Sequence, residues 1–174
     1  LVKQWKAMKV PALMVGFISP LAGPSAWRIF DKDIVGAINC NFEFGSAIAS
    51  QKVPKSIEFY NTYEKTFGKP MEAGHGPAPA YESVHILAEA IERSRSLIPE
   101  DIVPALEKTD RMGVMGRIRF NRGHQTIFGT DPQKEALACL FQWTEDGKRR
   151  IVHPPSISEG EILLPQGVVG LTGN

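Results

Sequence analysis

Residues 74–95 read GHGPAPAYESVHILAEAIERSR, and this stretch does the most to define the fold. From Tyr81 onward, apolar residues recur at steps of three and four, the spacing of one face of an α-helix. The stripe consists of Tyr81, Val84, Leu87, Ala88 and Ile91. The two prolines upstream disfavour helical backbone in the residues that precede them. The sequence therefore predicts a rigid loop with Gly and His, followed by a half-buried helix over residues 81–95.

The overall composition is that of an ordinary globular protein. The chain has 174 residues, a formal net charge of +1 and 43% hydrophobic residues. A charge this close to zero argues against nucleic acid or an anionic membrane as the main partner. No apolar run approaches the roughly 20 residues that a membrane-spanning helix needs. Because the helical pattern is already under way at Leu1, the chain is interpreted as a fragment; a processed mature start is the alternative.

The two cysteines, Cys40 and Cys139, are too few for a disulfide framework. Each lies in a strand-like run, and two small buried side chains are favoured over a bridge, which stays open as the alternative. Neither cysteine has the spacing of a metal ligand. The sequence therefore predicts no metal and no cofactor.

The first part of the chain alternates between helical and strand-like patterns. The patterns predict a helix that ends near Val10, a strand buried on both faces over residues 12–18, a helix over residues 26–35 capped by Ser25, and a half-exposed strand over residues 38–44. This alternation is typical of an α/β fold.

The segments beyond residue 44 are helical and then strand-like. Pro54 suits the first turn of a helix that Gly68 ends, and Pro99 opens a shorter helix with acidic residues in its first turn. Strands are predicted over residues 113–120, 136–143 and 149–152, and Asp-Gly between the last two indicates a hairpin. The chain is therefore predicted to leave one sheet, form helices elsewhere and return.

Four stretches share a pattern with one known family. Residues 2–16 have the pattern of a helix followed by a strand, residues 59–70 read FYNTYEKTFGKP, residues 81–93 read YESVHILAEAIER, and GRIRF at 116–120 is followed by FQW at 141–143. Each motif is weak alone, since most of its residues are core residues, but the order and spacing together are fairly specific. The sequence resembles the C-terminal half of type I periplasmic binding proteins, and more narrowly the substrate-binding subunits of branched-chain amino acid ABC transporters. The resemblance covers most of the chain up to about Pro165.

The resemblance implies a fold and a division of the chain. In this family, two α/β lobes are joined by crossover strands and hold a small ligand between them. Residues 1–48 would form an α/β segment of the C-terminal lobe, and residues 49–115 a helical segment that completes the N-terminal lobe. Residues 116–174 would supply a crossover strand, a hairpin and a tail that return to the C-terminal lobe. Most of the N-terminal lobe would then be missing, and the partner of this chain would be that lobe or a second copy.

The implied function is that of an extracytoplasmic solute-binding protein of an ABC importer. A small organic solute, either an amino acid or an aromatic or aliphatic carboxylate, would close the two lobes, and the loaded form would dock on a membrane permease. The sequence holds no G-x-S-x-G, H-E-x-x-H or P-loop motif, so it is interpreted as a non-enzyme. The alternative is a regulatory protein on the same fold that senses its ligand. The resemblance places the protein in the periplasm or another extracytoplasmic compartment.

Two loops are the candidate ligand site, because open α/β sheets bind ligands at the carboxyl ends of their strands. Phe17, Ile18 and Ser19 follow the first strand, where amino-acid-binding relatives carry an acid that pairs with the ligand's ammonium group. The lack of an acid here favours an apolar or aromatic portion of the ligand. In the second loop, His75 is predicted to donate to a carboxylate, and Gly76 to let the backbone approach the ligand. The alternatives are that Phe17 simply ends a buried strand and that His75 is a solvated loop residue.

Overall fold

The computed structural model describes residues 1–165 of the chain, so the end of the predicted tail, residues 166–174, lies outside the described residues. Two short 3₁₀ turns cover Ser19–Leu21 and Asp31–Ile34. The helices and strands, in chain order, are α1 (Val2–Ala7), β1 (Val15–Gly16), α2 (Ser25–Phe30), β2 (Ile38–Asn41), α3 (Pro54–Phe67), α4 (Pro77–Ser94), α5 (Pro99–Leu106), β3 (Asp110–Gly113), β4 (Gly116–Arg119), β5 (Phe128–Gly129), β6 (Ala136–Leu137), β7 (Cys139–Trp143) and β8 (Arg149–His153). The fold is α/β, as predicted.

The strands of the described residues form two sheets with four strands each. The first sheet has the order β1-β2-β7-β8, in which β1 and β2 are parallel and the other pairs are antiparallel. The second has the order β3-β4-β6-β5. Only Ala138 separates β6 from β7, so the chain passes from the second sheet to the first at this residue. The sequence predicted one strand over residues 136–143, and the structure divides it between two sheets.

The main hydrophobic core packs against the first sheet. Its largest members, all fully buried, are Leu21, Phe44, Phe141, Trp143 and Ile151. A smaller cluster near the second sheet contains Ala78, Val114, Met115 and Ala136, with Phe59 packed against it. Most of the apolar burial of the described residues therefore lies around the first sheet.

Helix α4 differs from its prediction in both start and orientation. It begins at Pro77 rather than Tyr81, because prolines are tolerated in the first turn, where the backbone N–H groups have no partner within the helix. Its buried face carries Ala78, Glu82, Ile86 and Ala90. The predicted apolar stripe instead faces outward, with Val84 70% and Leu87 46% exposed. The periodicity located the helix correctly, but it did not show which face this chain buries.

Strands β1 and β2 are also shorter than predicted. β1 lies at the edge of the sheet, and Val15 is 53% exposed, so the prediction of a strand buried on both faces was wrong. In β2, Asn39 and Asn41 are buried as well as Ile38, so the strand is not half-exposed as predicted, and Phe42, which follows it, is 57% exposed. The polar side chain of Asn39 is tolerated because its Oδ1 accepts a hydrogen bond from the Ile18 N–H at 2.8 Å.

Several local predictions are confirmed. α3 begins at Pro54 and ends at Phe67, and its C-cap residue Gly68 adopts the left-handed conformation at φ 65°. α5 begins at Pro99, and the β7–β8 hairpin turns at Gly147, where φ is 76°.

The predicted strand over residues 113–120 is instead a hairpin, β3–β4, with its turn at Val114 and Met115.

Both cysteines are free thiols in the structure. The pairing of β2 with β7 sets Cys40 opposite Leu140 and Asn41 opposite Cys139. Because neighbouring residues of a strand point to opposite faces, the two sulfur atoms lie on opposite sides of the sheet. A bridge between them would need a change of backbone.

Among residues 1–165, no helix is both long enough and apolar enough to cross a membrane.

Candidate functional site

Three aromatic side chains meet where β1 and β2 end. Phe17 follows β1, Phe42 follows β2, and His75 lies in the loop before α4. The ring centroid of Phe17 lies 5.0 Å from that of Phe42 and 5.4 Å from that of His75. Phe17 is 41% exposed. The structure thus brings Phe17 together with His75, 58 positions away, and forms a partly open aromatic cluster at the carboxyl ends of two parallel strands.

The other predicted residues of the first loop have different surroundings. Ile18 is half-buried, and its N–H is held by Asn39. Ser19 is exposed and begins the 3₁₀ turn, where its carbonyl accepts a hydrogen bond from the Ala22 N–H at 3.1 Å. The Ser19 side chain is therefore available to solvent, whereas Ile18 mainly anchors the loop to β2.

The loop before α4 crosses the ends of both strands. Gly74 packs so tightly that a Cβ there would lie 2.6 Å from the Ala22 Cβ and 2.9 Å from the Asn41 Oδ1. Gly76 adopts φ 97° and is the N-cap residue of α4. Both positions need glycine, Gly74 because of the close contact and Gly76 because of its positive φ. The Gly-His-Gly sequence thereby places the His75 ring beside Phe17.

The N-terminal amides of α4 already have partners within the chain. The Gly76 N–H donates to Glu43 Oε2 at 3.1 Å, and the Ala78 N–H donates to Ser46 Oγ at 3.2 Å. Pro77 and Pro79 carry no N–H group. Gly76 was predicted to let the backbone approach the ligand, and in the structure its N–H is engaged by Glu43.

Helix α2 is likewise capped by a residue distant in sequence. The Ser25 side chain was predicted to cap this helix, but Ser25 is its first residue, and Glu72 supplies the cap. Glu72 Oε2 accepts hydrogen bonds from the Ser25 N–H at 3.2 Å and from the Ser25 Oγ at 2.8 Å. Each of the two helices beside the aromatic cluster is thus capped by a carboxylate from another segment, which ties the segments of the site together.

Three residues near the cluster were missed from the sequence: Asn41, Phe42 and Glu43. The Asn41 Nδ2 is buried and has no hydrogen-bond partner, so it is a donor for which burial is costly. Glu43 is an acid whose Oε2 is bound to the Gly76 N–H beside the cluster, whereas from the sequence an acid was sought only in the loop after the first strand. The rule that selected residues 17–19 would have found all three, had it also been applied to the end of the second strand.

These groups can recognise a small molecule without any covalent chemistry. The cluster offers two phenyl rings, an imidazole that can donate or accept, and the Glu43 carboxylate at its margin. Within residues 1–165, no group of three or more His, Cys, Asp and Glu side chains could hold a metal ion.

Comparisons with known proteins place the fold in a class. The sequence matches no protein-family model, and no curated protein matches it. Solved structures do match: a protein of Silicibacter pomeroyi assigned as a branched-chain amino acid ABC transporter has a TM-score of 0.75 at 13% identity over 95% of this chain. A leucine-binding protein of Thermotoga maritima has a TM-score of 0.61 at 18% identity over 86% of this chain. The fold is that of the type I periplasmic binding proteins.

Further similarity points to the same class. A protein of Brucella ovis that binds leucine, isoleucine, valine, threonine and alanine has a TM-score of 0.61 at 17% identity over 83% of this chain. The chain spans 43%, 39% and 34% of the lengths of the Silicibacter, Thermotoga and Brucella proteins. It therefore corresponds to less than half of each of these solved structures.

Proposed function

We propose that this chain is part of an extracytoplasmic solute-binding protein of an ABC importer, which traps a small organic solute between two lobes. The observation that carries the proposal is the aromatic cluster of Phe17, Phe42 and His75 at the carboxyl ends of β1 and β2. Open α/β sheets bind ligands at this position. The fold shared with solved solute-binding proteins supports the same role.

The solute is proposed to carry an apolar or aromatic body that packs on Phe17 and Phe42. His75 can donate a hydrogen bond to a carboxylate of the solute, as the sequence predicted. Ser19, which is exposed on the same loop, can add a hydroxyl contact. Amino acids and aromatic or aliphatic carboxylates both satisfy these requirements.

The position of Glu43 supports amino acids as candidate solutes. The sequence disfavoured them because the loop after the first strand lacks an acid, but Glu43 lies within hydrogen-bond distance of Gly76 beside the cluster. Its second carboxylate oxygen can pair with an ammonium group of the solute. A solute with an ammonium group should therefore lose more affinity in Glu43→Gln than a carboxylate that has no amine.

The N-terminal lobe, called the second lobe below, is proposed to be built in part by the helices of this chain. Residues 49–115, which contain α3, α4 and α5, would complete that lobe. Residues 1–48 and 116–174 would belong to the C-terminal lobe. The apolar face of α4, with Tyr81, Val84 and Leu87 at least 41% exposed, supports this division because such faces mark contact surfaces. The proposed cover is the rest of the second lobe or a second copy of the chain, and the proposed partner of the loaded protein is a membrane permease.

A thermal-shift screen tests the proposed function. The panel contains L-leucine, L-phenylalanine, phenylacetate and hexanoate. A solute at about 100 times its Kd should add about 2.7 kcal/mol of stability, which raises the Tm by several degrees. A shift with any of these four solutes supports the proposal, whereas no shift with any of them counts against these solute classes and moves support to the regulatory alternative or to a ligand outside the panel.

A matched pair of variants locates the site. Phe17→Ala removes a ring of the cluster, and Phe128→Ala removes a ring of similar exposure on β5. We expect Phe17→Ala to weaken binding about tenfold or more, because covering a phenylalanine side chain with the solute is worth about 1.5–3 kcal/mol. Phe128→Ala should bind like the unmodified chain. Equal affinity in both variants would contradict the proposed site.

A further inference from the structure

The loop that carries Phe17 to Ser19 ends in buried backbone. Leu21 and Ala22, which follow Ser19, are both 0% exposed. Their carbonyl oxygens lie in the protein interior, where an unpaired carbonyl is costly. The position of this loop therefore depends on which groups satisfy those two oxygens.

Both oxygens are bound by side chains of the β7–β8 hairpin, more than 120 residues further along the chain. The Trp143 Nε1–H donates to the Leu21 carbonyl at 3.0 Å, and Arg149 Nη1 donates to the Ala22 carbonyl at 2.6 Å. The same Arg149 nitrogen donates to the Ala47 carbonyl at 2.7 Å. Ala47 lies in the segment that follows Phe42 and Glu43, so one guanidinium group joins the two loops of the site.

Arg149 is held in surroundings that are expensive for a cation. Its guanidinium lies 5.8 Å from the ring centroid of Phe141 and 5.9 Å from that of Trp143. Burial lowers the pKa of Arg149, and the nearby Tyr60 hydroxyl and Glu72 carboxylate only partly offset this effect. An apolar residue of similar volume would fill the same space at a smaller desolvation cost. A charged donor here is best explained by the carbonyl groups that it holds.

The Ala22 backbone that Arg149 binds is in contact with the loop that carries His75. Ala22 packs against Gly74, where an added Cβ would come within 2.6 Å of the Ala22 Cβ. Gly74 precedes His75, whose ring contacts Phe17. A displacement of Ala22 would therefore move both sides of the aromatic cluster.

We infer that Arg149 and Trp143 are positioning residues for the solute site: they fix the loops of residues 17–22 and 42–47, and through Gly74 the ring of His75, without touching the solute. This inference rests on the proposed function. It adds that residues of the β7–β8 hairpin affect the affinity for the solute although they do not contact it. It also predicts that the carbonyl bonds of Arg149 matter more than its charge alone.

The test compares Arg149→Lys with Arg150→Lys in the full chain. Lysine keeps the charge, but its shorter side chain ends about one bond before the Nη1 position from which Arg149 reaches both carbonyl groups, so the two bonds cannot both be kept at their present lengths. Arg150 lies on the same strand, and its Nη2 donates to the Glu161 carbonyl rather than to the site loops. Trp143→Phe keeps an aromatic ring in the core but removes the donor to Leu21. Arg149→Met is the more severe variant, which removes both carbonyl bonds.

Two measurements are made on each variant, alongside its global unfolding in denaturant. The first is the affinity for L-leucine and phenylacetate by titration calorimetry. We expect Arg149→Lys to weaken binding roughly tenfold, Arg149→Met more and Trp143→Phe less, whereas Arg150→Lys stays within about twofold. The second is amide hydrogen exchange without solute, which should become faster at residues 17–25 and 72–76 in both Arg149 variants and in Trp143→Phe, but not in Arg150→Lys.

The outcomes separate this inference from the proposed function. If the unmodified chain binds neither probe, the proposed function loses support, and the exchange pattern still decides the positioning role. If solute binds and Arg149→Lys binds as tightly as Arg150→Lys, the inference is wrong while the proposed function stands. Exchange that rises uniformly over the whole chain, in proportion to a global loss of stability, would also overturn it by showing a role in general stability alone.

Discussion

The core around the first sheet and the outer face of α4 have similar apolar side chains but opposite surroundings. Leu137, Phe141 and Ile151 belong to the main cluster and are 0% exposed. On α4, Val84 is 70% exposed and Leu87 is 46% exposed. The main cluster is closed by segments from both ends of the chain, whereas the α4 face is largely exposed among the described residues, with Phe59 packed against Tyr81 at its start.

The difference shows where the stability of this chain comes from. Closely packed apolar residues stabilise the region that holds the aromatic cluster, and this supports the precise placement of the site loops. The α4 helix is held instead on its other face, where Ala78, Ile86 and Ala90 are buried beside the hydrogen-bonded Glu82. The exposed stripe adds little to the stability of the chain itself and is suited to an intermolecular or interlobe contact.

The largest expected effect contrasts two leucines. Leu137→Ala should lower the free energy of unfolding by about 3–5 kcal/mol, because it leaves a cavity in the main cluster. Leu87→Ala should change it by less than about 1 kcal/mol, because Leu87 is already 46% exposed. Urea denaturation of both variants measures the difference. Similar losses in the two variants would show that the α4 face is covered in solution.

The next contrast concerns the polar attachment of α4. Glu82 is 2% exposed, and it accepts hydrogen bonds from Arg111 Nε at 2.7 Å and from the Val114 N–H. Glu82→Gln should cost about 2–3 kcal/mol, since it removes charge from a buried carboxylate that binds both Arg111 and the Val114 N–H.

Glu89→Gln is the matched control for that experiment. Glu89 also binds Arg111, but its side chain is 39% exposed, so its removal should cost less than about 1 kcal/mol. Chemical denaturation at one pH and salt concentration compares the two. Equal costs would argue that the Arg111 contact, rather than burial at Glu82, attaches α4 to β3.

A smaller effect on stability, but a clear one on association, is expected at Val84. If the α4 face binds a second copy, the chain should dimerise at high concentration, and Val84→Asp should return it to a monomer by placing a charge in the contact. Ser83→Asp on the same helix is the control for added charge. Light scattering coupled to size exclusion measures the mass. A monomer in the unmodified chain would leave the rest of the second lobe as the proposed cover.

The smallest expected effect is the difference between the two thiols. Burial raises the pKa of Cys139 far above its usual range, and it also raises the pKa of Cys40. A raised pKa means less reactive thiolate at a given pH, so labelling at pH 8 should be negligible at Cys139 and slow at Cys40. Labelling of Cys40 should accelerate as the pH rises, and denaturant should release both thiols. Rapid native labelling of Cys139 would show that the main core opens.

Much of the local structure was predictable because its signals are local. Proline at the first helical position and glycine after the last one mark α3, and Asp-Gly marks the β7–β8 hairpin. These residues act through their own φ angles, so no distant contact is needed to interpret them. The α/β class followed from the order of such elements.

The candidate site was predictable only in part. Phe17 and His75 were both selected because they belong to loops at strand ends or helix starts, and their ring centroids lie 5.4 Å apart; that they bind a solute stays a prediction. Glu43 and Phe42 were missed because the alternation of β2 was interpreted as one buried and one solvated face. The burial of Asn39 and Asn41 overturned that interpretation. Polar burial depends on partners elsewhere in the chain, which periodicity does not reveal.

The sequence by itself determined where helices and turns form, the α/β class and the two loops that carry Phe17 and His75, because these depend on backbone preferences over a few residues. Only the tertiary structure decided which face of α4 is buried, which carboxylates cap α2 and α4, and that Arg149 holds Ala22 and Ala47. These contacts join residues that are 33 to 127 positions apart. They form because buried polar groups must find partners wherever the fold brings them together.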